Sequence, residues 1–176
     1  MAFDAEKEIT RLWNHLGSAQ GEIGRTYMRW RQAALEIAGP GANPTDVGLK
    51  AAEVIGVEFG KGLLPRLNWL KGEEAWLMNL ANQLAGRWIT QGAVVKVEKG
   101  SNPFEVFLKW ERCPWPTFAK EYNVEMEEDV VCCDAILKAS LRDVNAFFNV
   151  DYAIETLKAI PRGQGVCLRR LAKLQK

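Results

Sequence analysis

The chain is predicted to fold as an α+β domain in which an N-terminal helical cover lies over a four-stranded antiparallel sheet and packed C-terminal helices. Three observations predict this. Apolar residues recur three and four apart through the first 90 residues, the period shortens to two near Gly92, and two strand-like pairs then flank a helical stretch. At 176 residues the length suits one domain over 1–176, with a helical subregion 1–90 and an α+β subregion 91–176.

Asp4 is placed to cap a first helix whose apolar positions are Ile9, Leu12, Trp13 and Leu16, and Gly17 is expected to stop it. A second helix is expected over about 21–38, with Ile23, Tyr27, Trp30, Ala34 and Ile37 or Ala38 on its inner side, broken by GPGANP. Asn43 or Thr45 starts a third, with Val47, Ala51, Val54 and Ile55 inward. Its glycines, at 48, 56, 60 and 62, lower its intrinsic stability. Pro65 opens a fourth through about Trp88, divided at Gly72, with Leu67, Leu70, Trp76, Leu77, Leu80 and Leu84 buried.

AVVKVEKG and FEVFLKWE alternate with period two around GSNP and predict an antiparallel hairpin. TFAKEY is a short helix. EEDVVCCDAILKASLRDVNAFF is a longer one, with Glu127, Glu128 and Asp129 at its positive N-terminal end and Val130, Cys133, Ile136, Leu137, Leu141 and Val144 on its apolar side. YAIETLKAI and GVCLRRL are two more strands joined around PRGQ.

Composition narrows the function classes. The 23 Lys plus Arg balance 22 Asp plus Glu, so no global field gathers phosphate polymers, and nucleic acid is not an expected partner. Charged residues interrupt every long apolar run, so no membrane span is expected. The start, MAFDAEKEITRLW, does not read as a secretory signal, so the cytoplasm is the expected compartment and the four cysteines are expected to be free thiols. The cluster Arg162, Arg169, Arg170, Lys173 and Lys176 reads as a solvated basic edge.

Chemistry concentrates in few residues. His15 is the single histidine, and no HExxH, Walker loop or dinucleotide glycine motif is present. Cys113 opens the stretch CPWPTF, Cys133 adjoins Asp134 on a helix, and Cys167 lies on the last strand. As ordinary thiols they are small core hydrophobes. Beside a cation or metal they become thiolates that attack electrophiles or bind zinc or iron, with Cys113, Cys133 and Cys167 as the ligand set. Cys113, Cys133 and Asp134 are accordingly the catalytic candidates. Trp69 and Trp115, near element boundaries, are candidates for lining an aromatic pocket, and Arg25, Arg29 and Arg31 on a helix for clamping a carboxylate, with Arg25 and Arg29 close enough to cooperate.

The segments ERCPWPTFAKEYNVE, VVCCDAILKASLRDVNAFF and YAIETLKAIPRGQGVCLRRL resemble the L-2-amino-thiazoline-4-carboxylic acid hydrolase-like family and the related small ligand-binding domains of the 4-vinyl-reductase type. The resemblance covers mainly residues 90–171. It implies the same α+β architecture, matches Cys113, Cys133 with Asp134, and Cys167 to the family's cysteine motifs, and implies a small cyclic amidine carboxylate or related C–N electrophile as substrate. A thiolate would attack it, or a thiolate-bound metal would activate water while Asp134 manages the proton. Gln164 stands where related sequences carry an acidic residue. Three functions follow as expectations: a small-molecule or metal-binding domain with an aromatic pocket, a hydrolase, or a structural module. A homodimer is among the expected assemblies.

Overall fold

The computed structural model describes residues 4–67 and 72–174. Its elements are helix α1 (Ala5–Ala38), α2 (Pro44–Leu63), a 3₁₀ turn (Leu64–Arg66), α3 (Glu73–Thr90), strands β1 (Val94–Lys99) and β2 (Glu105–Arg112), helices α4 (Trp115–Glu121) and α5 (Met126–Phe148), strand β3 (Tyr152–Lys158), a second 3₁₀ turn (Ile160–Arg162) and β4 (Cys167–Lys173). The expected C-terminal order of strand, strand, helices, strand, strand and the antiparallel sheet are both found, while the helix expected from Pro65 begins at Glu73. The expected positions Trp69 and Leu70, and Lys176 of the basic end, lie outside the described residues.

The strand order is β1-β2-β4-β3, antiparallel throughout. Strand β4 therefore inserts between the hairpin and β3. Period-two alternation puts Val106, Leu108 and Trp110 of β2 on the buried face, opposite Leu171, Arg169 and Cys167 of β4 in register. Helix α3 covers this face with Trp76, Leu77, Leu80, Leu84 and Trp88, and α5 adds Val130, Leu137, Leu141 and Val144.

Two expectations in the helical half are corrected. Residues 5–38 form one 34-residue helix rather than two, because Gly17 and Gly21 keep a negative φ and the chain leaves the helix only at Gly39, whose φ of 85° is left-handed. A glycine inside a helix costs about 1 kcal/mol relative to alanine, and it breaks nothing unless the backbone turns there. The inner side also differs. Ile9, Leu12, Trp13, Leu16, Ile23, Trp30 and Ile37 are exposed, while Gly24 and Met28 are buried.

Helix α2 shows the same inversion. Asn43 caps it, its side chain accepting from the Thr45 N–H at 3.0 Å, but its buried ridge is Gly48, Ala52, Gly56 and Gly60 rather than Val47, Ala51, Val54 and Ile55. These residues recur every four positions and let the α2 backbone approach α5. A Cβ on Gly56 would lie 2.6 Å from the Ile136 carbonyl oxygen, and one on Gly60 2.8 Å from that of Ser140. Ser140 Oγ donates to the Gly56 carbonyl at 2.9 Å across the same contact.

Candidate functional site

Helices α1, α3 and α5, the start of α4 and the Trp110–Cys167 end of the sheet enclose a cavity of about 330 Å³. Its aromatic wall comes from four separate elements: Tyr27 on α1, Trp88 on α3, Trp110 on β2 and Trp115 on α4. They pack edge to face, Trp88 on Trp110 at 5.6 Å and Tyr27 on Trp115 at 5.4 Å between ring centroids. Trp115 is fixed further by its indole N–H, which donates to Gln91 Oε1 at 2.9 Å.

The structure brings Cys113, Cys133 and Cys167 together on the wall of this cavity, with Cys132 beside them. Adjacent residues on one helix point about 100° apart, and the cavity is broad enough to touch both Cys132 and Cys133. Burial pushes the thiols of Cys132 and Cys133 up to about 12, and that of Cys113 further, nearby carboxylates and thiols adding to the effect. The sulfur of Cys167 accepts the Ile160 N–H at 3.2 Å. Thiols so raised stay protonated at neutral pH, which suits small apolar wall groups better than nucleophiles. Among the described residues no group of three or more His, Cys, Asp or Glu side chains is arranged to hold a metal ion.

The other sequence candidates lie elsewhere. Asp134 is not a lining residue. Its Oδ1 accepts from Arg169 Nε and Nη2 at 3.2 and 3.1 Å and from Thr156 Oγ1 at 2.6 Å. It neutralises Arg169, which is almost fully buried on the inner face of β4 with its guanidinium 4.8 Å from the Trp110 ring centroid. Arg25 and Arg29 face outward and pair with Glu22 at 3.4 and 2.6 Å. Trp115 is in the wall, and Trp69 lies outside the described residues.

The polar character of the site comes from Arg31, Glu128, Asp129 and Arg87, of which the sequence marks Arg31 as a carboxylate clamp and singles out no site role for the other three. Arg31, two residues on from Arg29 and so on a different face of α1, reaches Glu128 of α5 in a two-pronged pair at 2.5 and 2.6 Å, and both line the cavity. Asp129 also lines it, with no hydrogen-bond or ion-pair partner among the described residues. Burial raises its carboxyl to about 6, against the pull of Arg169 and with help from Glu128. Arg87 of α3, over the Phe59 ring at 5.3 Å, is likewise without a carboxylate within salt-bridge distance, and burial lowers its pKa. The buried Trp110 indole N–H has no acceptor among the described residues. The only sequence signal for Asp129 was its place in the first turn of α5, where a carboxylate is ordinarily explained by the helix end.

No protein-family model and no curated protein matches the chain. Among the solved structures that share the fold are two with a TM-score of 0.53 each. One is a trafficking protein particle complex subunit 3 from Naegleria fowleri, covalently bound to palmitic acid; it is 11% identical, over 88% of this chain and 97% of that one. The other is the phenol-responsive sensory domain of the transcription activator PoxR, with phenol; it is 10% identical, over 85% of this chain and 74% of that one. The architecture is thus similar to that of ligand-binding domains of the 4-vinyl-reductase-like kind and of the trafficking subunit.

Proposed function

We propose that this chain is a binding domain for a compact, largely apolar molecule, such as a single aromatic ring, that carries a hydroxyl group. One observation carries the reading: an aromatic-walled cavity whose lining includes an acceptor, Asp129, and a donor, Arg87, neither with a hydrogen-bond or ion-pair partner among the described residues. Polar groups away from bulk water are normally satisfied, so an unpartnered acceptor and an unpartnered donor in the lining of one cavity suit a ligand that both donates and accepts. At about 330 Å³ the space is about twice the ~150 Å³ that admits benzene, which suits one substituted ring. Of the molecules bound by the two structural neighbours, phenol matches this description more closely than palmitic acid.

A turnover reading draws less support from the same groups. The thiols at Cys113, Cys132 and Cys133 are held protonated, and Asp134 is committed to Arg169 and Thr156. Calorimetric titration of the purified chain with phenol, and separately with palmitic acid, tests the proposal. Saturable uptake of phenol is expected, weakened at least tenfold in Asp129→Ala, since a hydrogen bond to a charged group contributes about 1.5–3 kcal/mol. Binding of neither compound, with the aromatic cavity still quenched by no added ligand in tryptophan fluorescence, would overturn it.

A further inference from the structure

Helix α1 carries a feature that the cavity does not use in full. Ile9, Leu16, Ile23, Trp30 and Ile37 stand seven residues apart along its whole length, and Leu12 and Trp13 widen the row at its N-terminal end. All seven are exposed: 54, 45, 49, 72 and 88% for the repeat, 53 and 67% for the other two. Seven residues are just short of two helical turns, so the row drifts about 20° per repeat on a straight helix and becomes continuous only when two helices wind round each other. The buried positions Gly24 and Met28 lie about 100–160° round α1 from Ile23 and Trp30, and the first hydrogen bond from this helix to the body is Gln20 Nε2 to the Thr90 carbonyl oxygen at 3.1 Å. The row therefore has no cover among the described residues.

We infer that α1 pairs with α1 of a second copy of this chain, and that the pairing covers the open side of the ligand cavity. The periodicity selects the partner type, because a seven-residue repeat fits another helix carrying the same repeat, and a second copy supplies one by symmetry. The area is sufficient. Taking about 200 Å² for each fully exposed large side chain, the seven present roughly 850 Å², against about 800 Å² per partner in a stable interface. Charge argues against a lipid surface, since residues 4–38 hold five acidic and five basic side chains and offer no net attraction to an anionic bilayer.

Ile23 and Trp30 belong both to the row and to the cavity lining. At 49 and 72% exposed, they form the cavity's rim, so a helix seated on them closes it. The closure rests on the binding reading above. The pairing itself does not.

The test is the mass in solution of the full chain without ligand, by sedimentation equilibrium over a wide concentration range. Twice the chain mass is expected, with dissociation on dilution. Leu16→Glu, on the row but outside the cavity, is expected to give a monomer with an unchanged far-ultraviolet spectrum, while Asn14→Glu, exposed and off the row, stays dimeric. A monomeric wild type at the highest concentration overturns the inference, as does a Leu16→Glu dimer or a wild type that is recruited to anionic vesicles as a monomer. A monomer that still takes up phenol defeats the pairing alone. A dimer that takes up neither phenol nor palmitic acid defeats the binding reading alone.

Discussion

The Arg31–Glu128 pair bolts the outer helix to the body, and removing one half of it should be far more damaging than removing both. Arg31 Nε and Nη2 donate to Glu128 Oε1 and Oε2, and the two side chains are 10 and 4% exposed. Arg31→Ala strands a carboxylate that water reaches poorly, and breaking a buried pair in this way costs about 3–5 kcal/mol. With a urea m-value of roughly 2 kcal/mol/M, the midpoint falls by about 2 M. Glu128→Ala should cost less, because the less buried Arg31 can turn its guanidinium toward solvent. Replacing both by methionine should return stability to within about 1 kcal/mol of the wild type, since neither charge is then left behind. Urea unfolding of the four proteins, followed by tryptophan fluorescence, is the assay. An Arg31→Ala loss below about 1 kcal/mol, or a double variant no better than that single one, would refute the claim that the pair is buried and mutually dependent.

The glycine ridge of α2 predicts opposite signs for one substitution type. Gly56→Ala, whose Cβ would sit 2.6 Å from the Ile136 oxygen, should lose about 2 kcal/mol or more, whereas Gly17→Ala, with nothing within 4 Å, should gain up to about 1 kcal/mol; equal effects in thermal melts would count against the close approach. Asp129, raised from 3.8 to about 6, binds its proton more tightly folded than unfolded, so stability falls as pH rises through that window. The penalty is absent below 3.8 and complete above 6, reaching about 3 kcal/mol at about 1.36 kcal/mol per pH unit. Asp129→Asn should therefore stabilise the chain at pH 7.5 and not at pH 4, and a pH-independent difference in urea midpoints would contradict this. The thiols of Cys113, Cys132 and Cys133 should react slowly with a disulfide reagent at pH 8 in the folded chain and rapidly after unfolding, and three fast native thiols would contradict the burial that raises them.

How much of this was legible in the sequence depended on whether a residue's signal and its burial coincide. They coincide in β2, where Val106, Leu108 and Trp110 alternate and are buried, and in the stripe of α3 from Trp76 to Leu84. The placing of β4 between β2 and β3 could not be read, because pairing across the sheet leaves no mark on either strand's own period. In α1 and α2 signal and burial part company. Periodicity finds an apolar row without saying what covers it, so the exposed repeat from Ile9 to Ile37 looked like core. The surfaces that touch the body are Gly24, Gly48, Gly56 and Gly60, residues that register as flaws in a helix until a neighbour is known to be in contact.

The site divides along the same line. Cys113, Cys133, Cys167 and Trp115 stood out by residue type and do share the cavity wall. Asp134 and Asp129 are indistinguishable by type, both acidic residues in the early part of α5. What separates them is Arg169, 35 residues away in sequence from Asp134, whose guanidinium occupies one and leaves the other without a partner. Because a buried arginine on β4 needs a counter-charge before anything else can be bound, the carboxylate that answers it is structural. The one left over, on the lining of the same cavity as Arg87, is the carboxylate that the binding proposal assigns to a ligand.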